Sequence, residues 1–345
     1  MEEIKRLIVN QETEEDKIYS LSLRPSRLVE FVGQKDLVEN LRVSIQAAKE
    51  RREPIEHMLF SGPPGLGKTS LANIIAHEMG SRLTVTSGPA INRAGDLIGI
   101  LTNLEKGDIL FIDEVHRLSK TVEEFLYPAM ENFKIDFIVD QGPYARTINF
   151  NLKPFTLIGA TTRSGLLASP LRDRFGIFHH LDFYDPEDLR QIILSSAKKL
   201  NVAIDPRAAF EIAKRSRGTP RVANRLLRRV RDYAQVKTEN KAINEEIVLK
   251  AMVSLRIDDA GLDEIDRKLL FIIVKHYKGG PVGVEALAAT LNEEIDTLVD
   301  VVEPYLLKTG FLKRTSRGRE ITETALKHIN GSSSYPELKL QKELF

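Results

Sequence analysis

A short glycine-rich stretch carries the clearest chemical signal in the sequence. The pattern G-x-x-x-x-G-K-[ST] is satisfied by Gly62, Gly67, Lys68 and Thr69. Glycines let backbone N–H groups surround phosphate oxygens, the lysine neutralises the β- and γ-phosphates, and the hydroxyl ligates Mg²⁺. An apolar run ends at Phe60 before this stretch, and a helical pattern begins at Ser70 after it. Strand, loop and helix in this order predict a phosphate-binding loop rather than a chance glycine-rich turn.

Two carboxylates supply a second part of the same chemistry. Asp113 and Glu114 follow the apolar run Ile109–Ile112, about 45 residues after the glycine-rich loop. The carboxyl end of a parallel strand lies at the sheet edge where ligands bind. Asp113 is then placed to hold Mg²⁺ through water, and Glu114 to orient and polarise the attacking water. An acidic pair alone is a common strand end, but together with the loop it predicts ATP hydrolysis.

Short apolar segments alternate with helical patterns between about residues 55 and 181. Such alternation predicts an α/β core, with a parallel sheet covered by helices on both faces. From about 185 to 255 the pattern is wholly helical and predicts a small all-α domain. The predicted strands are Met58–Phe60, Leu83–Thr86, Ile109–Ile112, Thr156–Ala160 and Phe178–Leu181.

An inserted β-hairpin is predicted at about 134–151, between the third and fourth strands. Apolar residues alternate on both sides of the turn Gly142-Pro143. Two strands alone are marginal in water, so the hairpin either packs on its own domain or presents Ile148 and Phe150 to a partner. The sequence leaves both alternatives open.

The segment at about 256–330 predicts a winged-helix domain, because three helical patterns at about 262–277, 284–291 and 294–309 precede two short strands. The turn between these strands is basic and lacks aromatic side chains to stack on bases. This composition favours contacts with DNA phosphates over base recognition, and a solubilising hairpin tip is the alternative. The basic residues are Lys313, Arg314, Arg317 and Arg319.

Composition limits the remaining possibilities. The net charge of +1 gives no support for a polyanion partner, so any nucleic-acid surface must be local. No apolar run is long enough to predict a membrane span, and the first residues lack the order of a signal peptide. Because the sequence has neither this order nor cysteines for a disulfide framework, we take the cytoplasm as the default compartment, although the absence of cysteine alone fits any compartment. We expect a flexible arm at 1–20, domains at 21–184, 185–255 and 256–330, and a tail at 331–345.

Taken in order, these motifs resemble those of the AAA+ ATPases and, within them, the bacterial RuvB family of Holliday-junction branch-migration motors. The resemblance covers about residues 18–330 and implies an AAA+ P-loop core, a small all-α lid and a C-terminal winged-helix domain. The tail has no counterpart in the family pattern. The most specific matching stretches are Gly62–Thr69, Asp113–Leu118, Ile158–Arg163, Ser169–Gly176 and Gly218–Arg221.

This resemblance also implies roles for individual residues. Thr161 or Thr162 would be the polar sensor on the fourth strand, and Arg221 the second sensor over the γ-phosphate. Arg174 would be an arginine finger that reaches a neighbouring subunit's ATP, while the nearby Arg172 is expected in a structural ion pair. Further matches to nucleotide-contacting positions are Leu23, Arg24, Gly65, Gly67, Lys68, Thr69, Ser70, Glu131, Asn132, Phe133 and Tyr184.

For cofactors and partners, the resemblance implies ATP and Mg²⁺, and a homo-hexameric ring around double-stranded DNA at four-way junctions. It also implies a RuvA-type junction-binding protein that docks on the hairpin, and it leaves open a RuvC-type resolvase. Arg314 and Arg319 match positions where the family touches the DNA backbone.

Two other functions are weighed against this interpretation. The first is a clamp-loader-type AAA+ ATPase, and the basic wing argues against it. A nucleotide-switched winged-helix regulator would insert its recognition helix, about 294–308, into a groove of DNA, where acidic side chains would repel phosphates. These acidic residues are Glu293, Glu294, Asp296, Asp300 and Glu303.

Overall fold

The computed structural model describes residues 22–139 and 146–331, which divide into two compact units. The first contains Arg24–Gly62 and Leu66–Asp182, and the second contains Pro63–Gly65 with the chain from Phe183 onward. The predicted arm at 1–20, the hairpin turn at 140–145 and residues 332–345 of the predicted tail lie outside the described residues. Within the described ranges, no helix is both long and apolar enough to cross a membrane.

The first unit is built on a parallel sheet. Its strands are β1 (Met58–Ser61), β2 (Leu83–Ser87), β3 (Ile109–Asp113), β4 (Lys134–Val139), β5 (Arg146–Asn151), β6 (Thr156–Thr161) and β7 (Ile177–His180). Five of them form the sheet in the order β2-β3-β6-β1-β7, with every neighbouring pair parallel. All residues of β1 and β6 are buried, as expected for central strands covered on both faces. The predicted α/β core is confirmed, and each predicted strand agrees with an observed one to within one residue at each end.

Helices of the first unit pack their apolar faces on this sheet. They are α1 (Lys35–Arg51), α2 (Lys68–Met79), α3 (Ala94–Thr102), α4 (Lys120–Asn132) and α5 (Ser169–Arg172). α2 buries Leu71, Ile74 and Ile75 directly after the glycine-rich loop. α4 begins at Ser119, whose hydroxyl accepts a hydrogen bond from the Val122 N–H at 3.4 Å. The local sequence therefore fixes the helix starts that position the loop and α4.

The predicted hairpin is formed by β4 and β5, an antiparallel pair in which Ile135 lies opposite Phe150. Ile135 is fully buried and belongs to the core of the first unit. Phe150 is 44% exposed, a large value for an aromatic side chain. One strand thus packs on its own domain, while Phe150 stays accessible.

The helical part of the second unit begins with α6 (Pro186–Lys199), α7 (Pro206–Lys214), α8 (Pro220–Lys237) and α9 (Glu245–Ser254). The sequence pattern predicts starts at about 186, 206 and 220. The first three helices begin there, because a capping side chain, Asp185, Asp205 or Thr219, precedes proline in the first turn. The sequence pattern predicts an apolar stripe of Val222, Leu226, Val230 and Tyr233 on α8, and this is partly wrong, because Val222 and Tyr233 are only half-buried. The buried residues of α8 are Ala223, Leu226, Leu227, Val230 and Ala234.

The C-terminal part of this unit is a winged helix. Its elements are α10 (Glu264–Tyr277), α11 (Val284–Leu291), α12 (Ile295–Thr297), α13 (Glu303–Lys308), β8 (Leu312–Thr315), β9 (Gly318–Ile321) and α14 (Glu323–Gly331). The predicted helix over about 294–309 agrees with a continuous helical segment from Ile295 to Lys308, but a π-helical turn, Leu298–Val302, lies between α12 and α13. Pro304 has no N–H to donate to the Asp300 carbonyl, which opens the regular hydrogen-bond ladder at this point.

Buried ion pairs join the lid helices to the winged helix. Arg217 follows α7 and donates to Asp266 at 2.9 Å and to Asp263 at 3.3 Å, both at the start of α10. Its guanidinium also lies 5.2 Å from the ring centre of Tyr305. Burial and the neighbouring Asp263 raise the pKa of Asp266 to about 8, although Arg217 opposes this rise. One arginine is thus shared by two carboxylates.

We expect the raised pKa of Asp266 to make stability depend on pH. Below an unfolded-state pKa near 4, the Asp266 carboxyl is protonated in both the folded and the unfolded state. As pH rises towards 8, only the unfolded state releases this proton, so the free energy of unfolding decreases. Asp266→Asn removes this titration. Calorimetry between pH 5 and 8 should show the melting temperature of the variant rising relative to wild type. A constant difference would contradict the raised pKa.

Candidate functional site

The glycine-rich loop has a backbone that side chains would prevent. Gly62 has φ of 131°, and a Cβ atom there would lie 2.4 Å from the Leu181 carbonyl oxygen. Gly67 has φ of 106° and forms the N-terminal cap of α2. Only glycine adopts such positive φ angles without strain. The loop therefore turns tightly from β1 into α2, so that the first N–H groups of α2 are directed towards the loop.

Lys68 brings positive charge into this loop. Its side chain is 7% exposed, and its ammonium group donates to the Gly62 carbonyl oxygen at 2.7 Å. A buried ammonium at the start of the twelve-residue α2 adds to the positive end of the helix dipole. Together these groups create a site for anionic oxygen atoms, which matches the predicted phosphate loop.

The carboxyl ends of three neighbouring strands meet at one edge of the first unit. Ser61 at the end of β1 pairs with Thr161 at the end of β6, and Asp113 ends β3 on the other side of β6. The sheet therefore brings the phosphate loop, the acidic pair and the threonine pair to the same edge. Parallel α/β sheets bind ligands at this edge.

Glu114 has an unusual backbone at this edge. Its φ of 48° is rare for residues other than glycine and is typical of strained functional positions. The Asp113 carboxylate accepts a hydrogen bond from the Glu114 N–H at 2.9 Å. The Glu114 carboxylate is partly exposed and pairs with Arg117 at 3.1 Å. The two carboxylates thus have distinct surroundings, consistent with distinct tasks in metal binding and water activation.

The residues available for Mg²⁺ are hard oxygen donors. Thr69 lies in the first turn of α2 and Asp113 ends β3, and both are half-buried. Among residues 22–139 and 146–331, there is no cluster of three or more His, Cys, Asp or Glu side chains that could hold a metal ion. Mg²⁺ commonly takes one or two protein oxygens and completes its shell with substrate phosphates and water.

The two candidate sensor threonines have different surroundings. Thr161 is fully buried; its hydroxyl bonds to His116 Nδ1 at 2.8 Å and accepts a hydrogen bond from the Arg163 N–H at 3.0 Å. Thr162 is half-buried and follows the end of β6. Because Thr161 already uses its hydroxyl in the protein interior, we infer that Thr162 is the sensor.

We therefore expect opposite phenotypes for two matched variants. Thr162→Val should lower the turnover number for ATP about a hundredfold and leave nucleotide affinity nearly unchanged, because a polar contact to the reacting phosphate is lost. Thr161→Val should mainly lower the free energy of unfolding, by about 0.5–1.5 kcal/mol, through loss of the His116 contact. Steady-state kinetics measures the turnover number of each variant, and thermal melts measure its stability. The reverse pattern would identify Thr161 as the sensor.

Arg174 lies in a preformed cradle at the end of α4. Its guanidinium pairs with Glu131 at 2.9 Å and donates to the Pro170 carbonyl oxygen at 2.6 Å. It also lies 4.5 Å from the ring centre of Tyr127, a cation–π distance. Arg172 instead lies 5.3 Å from the ring centre of Phe178. The two nearby arginines thus have different surroundings, and Arg174 makes the larger number of directional contacts.

Within the second unit, the start of α8 contacts the loop segment Pro63–Gly65. The Arg221 N–H donates to the Gly65 carbonyl oxygen at 3.3 Å, and Thr219 caps the helix. The Tyr184 N–H donates to the Gly218 carbonyl oxygen at 2.9 Å, and the Leu23 carbonyl accepts from Lys199 at 3.4 Å. Arg221, the predicted second sensor, is therefore next to phosphate-loop backbone.

The other predicted nucleotide contacts are distributed over several elements. Ser70 is half-buried on α2, and Arg24 is half-buried near the start of the described chain. Glu131 and Asn132 are exposed at the end of α4, where Phe133 packs edge-on to Phe155 with ring centres 5.8 Å apart. Glu131 contacts Arg174, so these residues belong to the finger region rather than to the phosphate loop.

The basic residues of the wing separate into two kinds. Lys313 and Arg317 are exposed, as expected for a solvated turn. Arg314 and Arg319 lie directly opposite each other on β8 and β9, and both pair with the buried Glu303. Glu303 therefore cannot repel DNA phosphates as the sequence suggested, because it faces the wing from inside the domain.

Sequence reasoning missed three contributors to these sites: His116, Tyr127 and Glu303. Tyr127 lies four residues before Glu131 on α4, a spacing that places both on one helix face. That spacing is a usable signal once Arg174 is suspected. His116 and Glu303 give no such signal, because their partners are distant in sequence.

Family models match the chain in three consecutive segments. Residues 23–181 match the Holliday junction DNA helicase RuvB P-loop domain, and residues 184–258 match the RuvB AAA lid domain. Residues 259–330 match the RuvB C-terminal winged helix domain. These matches confirm the predicted order of an ATPase core, a lid and a winged helix.

Whole proteins give the same result. The chain is 56% identical to the Holliday junction branch migration complex subunit RuvB of Desulfosudis oleivorans over 323 residues, 93% of this chain and 94% of the relative. It is also 56% identical to the protein of the same name from Lawsonia intracellularis, with 90% of each covered. The structure of the Thermotoga maritima RuvB Holliday junction branch migration motor matches with a TM-score of 0.82, at 54% identity, over 90% of this chain and 98% of that one.

Proposed function

The chain belongs to the RuvB family, and on this premise we propose that it is an ATP-hydrolysing motor that drives branch migration of Holliday junctions. The observation that carries the enzymatic part is the common edge of β1, β3 and β6. There the phosphate loop, the acidic pair and the threonine pair lie on neighbouring strand ends. This is the set of groups that nucleotide hydrolysis needs.

In this proposal, the phosphate loop and Lys68 bind the β- and γ-phosphates of ATP. Thr69 and Asp113 hold Mg²⁺, which neutralises charge that develops on the phosphates. Glu114 polarises the attacking water, Thr162 contacts the γ-phosphate, and Arg221 serves as the second sensor. The buried position of Lys68 and the strained backbone of Glu114 support these assignments.

We further propose that the active form is a homo-hexameric ring in which Arg174 completes the site of the adjacent subunit. Its cradle supports this role, because Glu131 and Tyr127 fix a guanidinium at the surface before any neighbour arrives. A preoriented donor loses little freedom when it engages charge. Hydrolysis would then depend on correct assembly, which couples ATP turnover to ring formation.

DNA contact is assigned to the wing, with Arg314, Arg319, Lys313 and Arg317 on the phosphate backbone. A RuvA-type junction binder would dock on the hairpin through its accessible Phe150. Ile148, the second predicted contact, lies on β5 opposite Phe137, and its side chain lies outside the described residues. We place this motor in the cytoplasm with bacterial DNA, and a RuvC-type resolvase would act on the same junction.

The decisive experiment is ATP-dependent conversion of a synthetic four-way junction, with and without a RuvA-type partner. We expect conversion by the wild-type chain and none by Lys68→Ala, which loses the ammonium that binds phosphate. A clamp-loader-type ATPase would hydrolyse ATP without converting the junction. A regulator would protect one DNA sequence in a footprint and convert nothing, so either outcome would reject the proposed motor.

A further inference from the structure

The wing carries an arrangement that is unfavourable without a counter-charge. Arg314 on β8 and Arg319 on β9 are directly opposite in the antiparallel register. Side chains in such pairs lie on one face, within about 5 Å at their Cβ atoms, and like charges there repel. Two arginines in this position need an anion close by.

Glu303 supplies that anion from inside the domain. Its side chain is 0% exposed, and its carboxylate accepts hydrogen bonds from both arginines, with Oε2 shared between Arg314 and Arg319. Oε2 accepts from Arg314 Nε at 2.7 Å, and Oε1 accepts from Arg319 Nε at 2.9 Å. A buried carboxylate is tolerated only when it is paired and hydrogen-bonded, and both conditions are met here.

The backbone explains how an acidic residue of the third helical segment comes to face the wing. Glu303 is the first residue of α13 and follows the π-helical turn Leu298–Val302. A π-turn adds a residue to the helical turn and so changes the direction of the side chains that follow. Exposed acidic residues of the same segment, Glu294 and Asp296, precede this turn. The turn thus separates acidic residues that face solvent from one that faces the arginines.

We propose that Glu303 is a positioning residue for DNA binding: it fixes the guanidinium groups of Arg314 and Arg319 in the orientation that contacts the phosphate backbone. This inference rests on the proposed function of the wing. Each arginine uses its Nε and Nη2 edge for Glu303, and the opposite edge of each guanidinium is not needed for this contact. The Arg314 side chain is 44% exposed and that of Arg319 is 17% exposed, so Arg314 is the more accessible of the two to a phosphate.

If Glu303 acts by preorganising the two arginines, its removal should change DNA affinity in the direction opposite to that expected from net charge alone. If only net charge mattered, removal of a negative charge from the wing would strengthen DNA binding. If Glu303 acts by holding two arginines, its removal frees long side chains that must be ordered again on binding, and affinity falls. An increase or a decrease in DNA affinity therefore distinguishes a net-charge effect from a positioning effect.

The test compares Glu303→Gln with Glu320→Gln in the full-length chain, by fluorescence anisotropy on duplex DNA at several salt concentrations. Glu320 lies on the same wing opposite Lys313, and its carboxylate contacts Thr315, so it is a matched loss of charge away from the arginine pair. We expect Glu303→Gln to weaken binding about three- to tenfold and reduce the salt slope by about one unit. Glu320→Gln should bind as tightly as wild type or slightly tighter. Binding by Glu303→Gln at or above the wild-type level would overturn the proposal.

A double-mutant cycle separates positioning from loss of the fold. In a chain that already carries Arg314→Ala and Arg319→Ala, and whose wing is shown by circular dichroism and thermal melting to remain folded, the additional Glu303→Gln change should no longer weaken DNA binding, because nothing remains to be positioned. The same several-fold loss in that background would mean that the wing has unfolded, and it would reject the positioning role. Failure of the wild-type chain to bind duplex DNA would instead contradict the proposed function itself.

Discussion

Arg174→Ala should lower the turnover number for ATP by about three to five orders of magnitude while nucleotide binding persists. An arginine finger stabilises charge that develops only in the transition state, and its removal costs about 10³–10⁵ in rate. Arg174 is held ready for this task by Glu131, Pro170 and the ring of Tyr127. The measurement is steady-state phosphate release at saturating ATP and DNA, with nucleotide affinity measured separately by a fluorescent analogue.

Arg172→Ala is the matched control for this prediction. Arg172 is the last residue of α5, two positions before Arg174, and it is exposed and packs on the Phe178 ring. Its removal should change the turnover number less than fivefold, because it contributes surface packing rather than a fixed donor. Equal losses in both variants would indicate damage to α5 and not the absence of a finger. Normal turnover in Arg174→Ala would reject the finger assignment outright.

The sequence predicted the phosphate loop fully because its signal is local. The positive φ angles of Gly62 and Gly67 and the buried Lys68 all lie within a few residues of one another. The helix starts could also be predicted from local sequence, since a capping side chain followed by proline specifies where α6, α7 and α8 begin. Local rules thus gave both the core of the site and the boundaries of the elements around it.

The sequence did not predict features that depend on the direction in which a side chain points. Thr161 is the last residue of β6 and Thr162 lies just beyond it, and only the folded sheet shows which of the two meets His116. Glu303 is a stronger case, because the π-turn before it changes its direction and converts an apparent phosphate-repelling residue into a partner for two arginines. Tertiary packing determines the direction of both side chains, and residue spacing in the sequence carries no information about it.

Glu114→Gln should lower ATP turnover by about two to four orders of magnitude and leave ATP bound. The amide keeps the size of the side chain but cannot accept the proton of the attacking water, a contribution of about 10²–10⁴ in rate. Asp113 should behave differently, since its loss removes a Mg²⁺ ligand and therefore weakens nucleotide binding as well. Phosphate release and binding of labelled ATP, measured on the same preparations, test both statements. Turnover at the wild-type rate in Glu114→Gln would exclude it as the catalytic carboxylate.

Mixtures of the two inactive variants provide the most demanding test of the ring. A Glu114→Gln subunit retains Arg174, and an Arg174→Ala subunit retains Glu114. Where the first is placed beside the second, one composite site contains both an intact carboxylate and an intact finger, so activity should reappear. Because the yield of such sites depends on random neighbours, the recovered rate should be greatest near equal proportions and fall towards either pure variant. If no ratio restores hydrolysis, Arg174 does not act on the site of a neighbouring subunit.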